Sequence, residues 1–352
     1  MQSAHASASS QSDMPMARLV LELAAMLVVI LIASELFTNA LEHLGARLKI
    51  SEGVTGSLFA AVGTALPETI VPLLAIFAGT ASVQVNEEVG VGAILGAPLM
   101  LSTLSTCLMA IVVFPSRASR GFVDPERSGF VRDIEFFLLA FSLAAAAMFV
   151  PEHARYVRGG LSAILVTMYF VYILLTVRAS DKLVLDGHGT RAHYRLFLSR
   201  LALPENVVTT LIQLAVGLAL LIFGAKGFID GVEGVSAVLG LSALLLSLLI
   251  IPIATELPEK VNSILWIRRG KDTLAFGNIT GAMVFQGTLL PAIGIMLTPW
   301  QPRKEVLSGV IVTLLAAAWL RFNVRSKGLQ LWILLINGLF YVAYLAWMLV
   351  GR

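Results

Sequence analysis

Long apolar runs alternate with short polar segments along almost the whole chain. Runs of about 18 or more apolar residues read as membrane-crossing helices, because a bilayer core takes about 20 residues at helical rise. On that basis the sequence predicts ten helices, at about 19–43, 53–79, 87–115, 134–150, 159–177, 206–229, 243–267, 273–298, 306–321 and 329–350. Residues 1–17 are polar, without a basic start, and precede a run too long for a signal peptide, so they read as a tail ahead of a retained helix. The longest polar connection, at about 178–204, splits the chain into two sets of five helices. The expected organisation is a tail at 1–17, a first repeat at 18–178, a cytoplasmic connecting loop at 179–204 and a second repeat at 205–352.

Composition narrows the class. Of 352 residues, 57% are hydrophobic and 13% are charged, with a mean hydropathy of +0.86. Soluble domains carry about 25% charged residues, so a soluble enzyme, a disordered chain and a secreted disulfide scaffold are excluded. The single cysteine, Cys107, lies inside an apolar run and cannot form an internal disulfide. A net charge of +3 does not point to nucleic acid, because the basic residues sit in short loops between apolar runs. Loops after odd-numbered helices hold 17 Lys and Arg, among them Arg47, Arg117, Arg178, Arg268 and Arg321, whereas the opposite side holds 6. The positive-inside bias places the first group in the cytoplasm and both termini outside.

The two halves repeat one another. Residues 35–70 overlie residues 226–261 without a gap at a shift of 191, so that Phe37 meets Phe228, Glu42 meets Glu233 and Ser51 meets Ser242. Leu66-Pro67-Glu68 falls on Leu257-Pro258-Glu259, and Thr64 falls on Thr255. A second block places Gly92 and Gly96 over Gly277 and Gly281 at a shift of 185. Five helices per half is an odd number, so the copies cross the membrane in opposite senses. The expected fold class is an all-α polytopic membrane protein of about ten transmembrane helices in two inverted five-helix repeats, a plan common among secondary transporters.

Each repeat sets a Pro-Glu pair inside an apolar helix. Proline removes a backbone donor and frees a carbonyl one turn earlier, and non-helical backbone at membrane depth needs protein or a wet cavity around it. A charged carboxylate at a helix centre costs roughly 2.5–3.5 kcal/mol. Glu68, Glu256 and Glu259 therefore require a cation, protons or the adjacent Lys260 to neutralise them. Freed carbonyls and carboxylates form an oxygen-rich set that suits a hard cation such as calcium or sodium. Glu256 and Glu259 lie three residues apart, on one helix face, and Glu256 can serve as a ligand, carry a proton or pair with Lys260. A fixed ammonium at Lys260 would repel mobile cations and stand in for one of them. Gly92 and Gly96, with their counterparts Gly277 and Gly281, read chiefly as close-packing positions. Asp272, Glu87 and Glu88 fall at helix starts, where a carboxylate favours the positive dipole end.

At these motifs the chain resembles the sodium/calcium exchanger superfamily of cation antiporters, as a divergent member. That family repeats G-T-S-L-P-E, preceded by L-G-I-S and followed by G-N-V-V-G-S-N-I-F-N. Here the motif reads Gly63-Thr64-Ala65-Leu66-Pro67-Glu68 and Ala254-Thr255-Glu256-Leu257-Pro258-Glu259. The resemblance implies ten helices, alternating access, and Glu68 and Glu259 as the central metal-binding carboxylates. Thr64, Thr255 and Glu256 stand at motif positions, and Gln286 matches a family ligand position. The departures are pointed: the serine after the motif threonine is Ala65 in one half and Glu256 in the other, and downstream amides and hydroxyls become Ala97, Pro98, Leu101, Ala282 and Met283. Most of the oxygens that the family uses around sodium are replaced.

The sequence therefore predicts a secondary active cation antiporter in a cell (inner) membrane, moving calcium or a related cation in exchange for sodium or protons. A proton-coupled exchanger and a non-transporting cation-binding relative are the alternatives. The partners expected are inorganic cations and the lipid bilayer, with no cofactor beyond the transported cations and no nucleic acid. An enzyme is not expected: no Ser/His/Asp or Cys/His set falls within one membrane layer, and a catalytic pair would break the symmetry of the two glutamates.

Overall fold

Each of the ten apolar runs carries helix in the computed structural model, which describes residues 16–47, 60–78, 82–117, 121–184, 195–201, 203–240, 242–325 and 328–350. The helices are α1 (Met16–Arg47), α2 (Ala60–Ala78), α3 (Val83–Met100), α4 (Thr106–Arg117), α5 (Arg127–Ala147), α6 (Arg155–Val184), α7 (Val207–Leu239), α8 (Ala243–Thr255), α9 (Leu257–Arg268), α10 (Asp272–Leu297), α11 (Lys304–Asn323) and α12 (Leu331–Val350). Among the described residues, seven helices are long and apolar enough to cross a membrane, and Glu68–Phe77 and Ala243–Ile253 are shorter apolar helices. Among the described residues, a short 3-10 helix spans Phe197–Leu201. Two-residue strands, β1 (Phe122–Val123) and β2 (Leu329–Gln330), pair antiparallel with Phe122 opposite Gln330.

Two of the expected helices are interrupted. A π-helical turn, Leu101–Ser105, joins α3 to α4, so that Val83–Arg117 runs as one 35-residue span. Widened turns leave backbone carbonyls without their usual donors, and here side chains take them. Thr106 Oγ1 donates to the Ser102 carbonyl at 3.0 Å, and Asn337 Nδ2 of α12 donates to the same carbonyl at 2.7 Å. The second interruption separates α8 from α9 at Glu256.

The chain divides into two compact units, and each draws on both sequence halves: Met1–Gly90 with Val171–Leu246, and Val91–Phe170 with Ser247–Arg352. In the first unit, α1 lies along α7 on a row of glycines. A Cβ added at Gly224, Gly227, Gly231 or Gly234 would come within 2.9, 2.6, 2.9 and 2.9 Å of Ile30, Met26, Leu23 and Leu19. Lipid tails are as apolar as these side chains, so close backbone approach, not the hydrophobic effect, holds such pairs together. One polar lock closes this seam. Buried Gln213 Nε2 donates to the Leu36 carbonyl and to Asn39 Oδ1, both at 2.9 Å, while Asn39 Oδ1 and Gln213 Oε1 accept from Phe197 N and Leu198 N. The end of the connecting segment is thereby fixed to the helix pair.

The second unit is tied by charged groups at both helix ends. Asp272, in the first turn of α10, takes Arg117 Nη1 at 2.7 Å and the Asp124 N–H at 2.8 Å, and Arg117 Nη2 also donates to the Ile267 carbonyl. At the other end of α10, buried Arg158 donates to the carbonyls of Ile295, Thr298 and Pro299. Both charges match the helix dipole. Trp300 adopts φ +48, a conformation that disfavours a bulky residue. Its indole is buried against Gly294, where a Cβ would lie 2.4 Å from Cζ3, and its N–H donates to the Ala144 carbonyl at 3.0 Å.

Candidate cation site

The sequence Pro252-Ile253-Ala254-Thr255-Glu256-Leu257-Pro258 dictates the break between α8 and α9. Pro252 cannot donate to the Leu248 carbonyl, and Pro258 cannot donate to the Ala254 carbonyl. Glu256 takes φ −91 and ψ 0 at the junction. The interruption stays local, because Glu256 N still donates to the Pro252 carbonyl at 3.2 Å and Lys260 N to the Glu256 carbonyl at 3.1 Å. Gly96 of α3 abuts this region: an added Cβ would lie 2.1 Å from the Leu248 carbonyl oxygen and 2.7 Å from Pro252 Cγ. Only glycine lets α3 approach so closely.

The break brings two acids together. Glu256 is fully buried and Glu259 is 2% exposed, and each offers a carboxylate oxygen within 4.8 Å of the other. Gln286 of α10, also fully buried, donates Nε2 to Glu256 Oε1 at 2.7 Å. Asn278 of α10 donates Nδ2 to the Glu259 carbonyl and to Ser263 Oγ, each at 3.0 Å, which fixes the first turn of α9. Lys260 is buried as well, with Nζ 3.0 Å from the Pro252 carbonyl and 2.7 Å from Met100 Sδ. Thr255 is buried, and its hydroxyl donates to the Ile251 carbonyl at 3.3 Å.

Two carboxylates this close in a low-dielectric setting repel one another, and both remain ionised only beside positive charge. The acids themselves offer oxygen ligands, with the amides of Gln286 and Asn278 beside them and no imidazole or thiolate among these described residues, so the set suits a hard cation. Protons can satisfy the same demand. The chemistry available is thus reversible binding of a cation or of protons.

Of the residues expected from sequence, Glu256, Glu259 and Gln286 come together in the second unit, and Thr255 lies at the same break. Glu68, in α2 of the first unit, is 3% exposed. The Thr64 side chain lies outside the described residues. Sequence reasoning left Met100 and the Pro252 carbonyl without a role, although both receive Lys260. Proline inside an apolar helix was the available signal for the carbonyl, whereas nothing in the sequence points to a methionine 160 positions away. The close-packing expectation holds at Gly96, but Gly277 has nothing within 4 Å of an added Cβ among the described residues. Its helix, α10, turns that position outward.

Known proteins with related sequences and folds can now be set beside this geometry. The family model described as sodium/calcium exchanger protein matches residues 19–178 and 209–350. The putative antiporter CaxA of Alkalimonas amylolytica is 25% identical over 278 residues, covering 78% of this chain and 79% of its own. Among solved structures, the crystal structure of the H+/Ca2+ exchanger CAX superposes with a TM-score of 0.69 at 16% identity, over 94% of this chain and 82% of that one. The sodium-calcium exchanger NCX_Mj gives 0.56 at 18% identity, over 93% and 98%. These two likenesses establish the fold, that of an all-α, multi-pass membrane protein.

Proposed function

Because the chain belongs to the sodium/calcium exchanger family, we propose that it is a secondary active antiporter that moves calcium or a related cation against a counter-ion by alternating access. The observation that carries this reading is the buried Glu256–Glu259 pair on a proline-broken helix, with carboxylate oxygens within 4.8 Å of each other. In the proposed cycle, Glu259 and its repeat counterpart Glu68 exchange the divalent cation for the counter-ion, and opposed repeats of ten helices open either face in turn. Glu256 and Gln286 complete the oxygen set, with Thr64 and Thr255 beside it. The cation is cargo, and no prosthetic group enters the cycle. The arginine-rich loops would face the cytoplasm of a cell membrane, with both termini outside.

A specific observation favours protons over sodium as the counter-ion. Alanines at positions 65, 97 and 282 replace oxygen-bearing side chains of the resembled motif, while Glu256 adds a buried, protonatable group. The structural likenesses include exchangers of either kind. The deciding experiment is calcium flux into proteoliposomes under an imposed sodium gradient, an imposed proton gradient and neither, with Glu259→Gln as control. Flux driven by the proton gradient and lost in the variant supports the reading. Equal flux in Glu259→Gln, or none in folded wild-type protein under any gradient, overturns it.

A further inference from the structure

The span that holds α3 and α4 has to face two ways. On its α3 side, Gly96 lies against the Leu248 carbonyl and Pro252, and Met100 Sδ receives Lys260 Nζ at 2.7 Å. These two positions are four apart and share a helix face. On its α4 side, Cys107 packs on Gly338 of α12, where an added Cβ would overlap Sγ, and Arg117 pairs with Asp272 of α10. In an unbroken α-helix the step from Met100 to Cys107 completes nearly two turns, which leaves both on one face to within about 20°. Here they meet different helices. The π-helical turn Leu101–Ser105 makes the difference: its i→i+5 closure takes one more residue per turn, and one residue is about 100° around the axis.

Such turns are rare and occur chiefly at functional sites, and their carbonyls need donors from elsewhere. Asn337 of α12, fully buried, donates Nδ2 to the Ser102 carbonyl at 2.7 Å and to the Ala316 carbonyl of α11 at 3.4 Å. Thr106 Oγ1 donates to the Ser102 and Thr103 carbonyls from within the span. We propose that Asn337 is a positioning residue of the cation site: it holds the π-helical turn, the turn sets the face that α3 presents to the α8–α9 break, and calcium affinity therefore depends on a side chain of the last helix. This rests on the antiporter reading above, in which Glu256 and Glu259 bind the cation. The path is contiguous. Pro252, against which Gly96 packs, accepts from Glu256 N at 3.2 Å and from Lys260 Nζ at 3.0 Å, so the α3 face bears on the backbone that carries both acids. Without the Asn337 amide, closure of the turn to α-helix satisfies the carbonyl and rotates α3 on α4 by about 100°. Leu95 or Ala97 then meets the Leu248 carbonyl, where glycine alone fits.

Two quantities test this in the full-length protein in detergent: the carbon-13 resonance of the Met100 methyl, assigned by its loss in Met100→Leu, and the equilibrium dissociation constant for calcium. Asn337→Leu is expected to move the resonance and to weaken calcium about 10- to 100-fold, the usual effect of losing a group that orients ligands from behind. Ser162→Ala removes another buried bond between helices of this unit, to the Ala292 carbonyl at 3.1 Å, and is expected to change neither. Thr106→Val, which takes the second donor from the Ser102 carbonyl, is expected to act in the direction of Asn337→Leu and carries the test if that variant does not fold. An unmoved Met100 resonance in folded Asn337→Leu or Thr106→Val overturns the proposal, as does unchanged calcium affinity beside a moved resonance. Equal weakening in Ser162→Ala overturns it too, because the effect is then one of stability. A wild-type protein that binds no calcium is a different result: it removes the antiporter reading, and this assignment with it, while the Met100 resonance still reports whether Asn337 holds the turn.

Discussion

In the first unit, α1 meets α7 along a row of glycines whose neighbours are the ends of Met26, Leu23 and Leu19. In the second unit, helices are held by buried polar and charged groups: Asp272 with Arg117, Arg158 on three carbonyls, Asn337 on the π-helical turn, and Gln286 on Glu256. A glycine seam depends on shape and fixes few atoms, and in the first unit one polar lock, Gln213 on the Leu36 carbonyl and Asn39, closes it. A polar lock fixes particular atoms at particular distances. The difference teaches where geometry is specified in this molecule: groups proposed to bind and release an ion need neighbours held in place, and Glu256 and Glu259 lie among the locks. Glycine against backbone occurs in both units, at Gly217 on Phe37 N and at Gly96 on the Leu248 carbonyl oxygen, and backbone cannot move aside as a leucine tip can.

The largest expected effect comes from the site itself. Glu259→Gln keeps the size and a hydrogen-bonding group while removing the charge, and gradient-driven calcium flux is expected to fall to the level of empty liposomes with an unchanged elution profile. Retained flux would detach the polar unit from transport. Next is the contrast between glycines. Gly96→Ala places a Cβ 2.1 Å from the Leu248 oxygen, and overpacking against backbone is expected to cost about 1–3 kcal/mol, read as a lower melting temperature in detergent. Gly231→Ala meets the Leu23 side chain at 2.9 Å and backbone only at 3.8 Å, an ordinary contact, so a drop well under half that of Gly96→Ala is expected. Equal drops would erase the distinction between seam and lock.

Asp272→Asn tests the lock at the start of α10. It weakens a charge-assisted pair with Arg117 and the acceptor for Asp124 N–H, and a loss of about 1–3 kcal/mol is expected, again measured by thermal unfolding. The smallest effect concerns Glu126, which caps α5 by accepting from the N–H groups of Ser128 and Gly129, both at 2.7 Å. Burial pushes its carboxyl up, but the Ser128 and Gly129 hydrogen bonds and the Arg132 charge outweigh this and hold it below the usual value. The folded form thus prefers the carboxylate. Its stabilisation is complete above the ordinary carboxylate range and fades as pH falls through the lowered value. Glu126→Ala is expected to cost about 1 kcal/mol at neutral pH, and the gap to wild type should close on acidification. A gap that widens in acid would contradict the assignment.

Sequence alone determined the elements and the chemical vocabulary. Ten apolar runs carry helix because a hydrophobic run of about 18 residues leaves the backbone no partner but itself in lipid. Pro252 and Pro258 specified the break, since a missing N–H is a local property, and the repeat singled out Glu68 and Glu259 because two copies of one motif in opposed halves are visible by eye. The tertiary structure decided what those groups touch. Gln286 is 30 positions from Glu256 and Met100 is 160 from Lys260, so no local spacing encodes either contact. Likewise Gly96 and Gly277 both read as close-packing positions in the sequence, yet one meets a carbonyl and the other has nothing within 4 Å of an added Cβ among the described residues. Whether a small residue is a contact or a gap depends on which helix the fold sets beside it, and that is settled by packing over the whole chain.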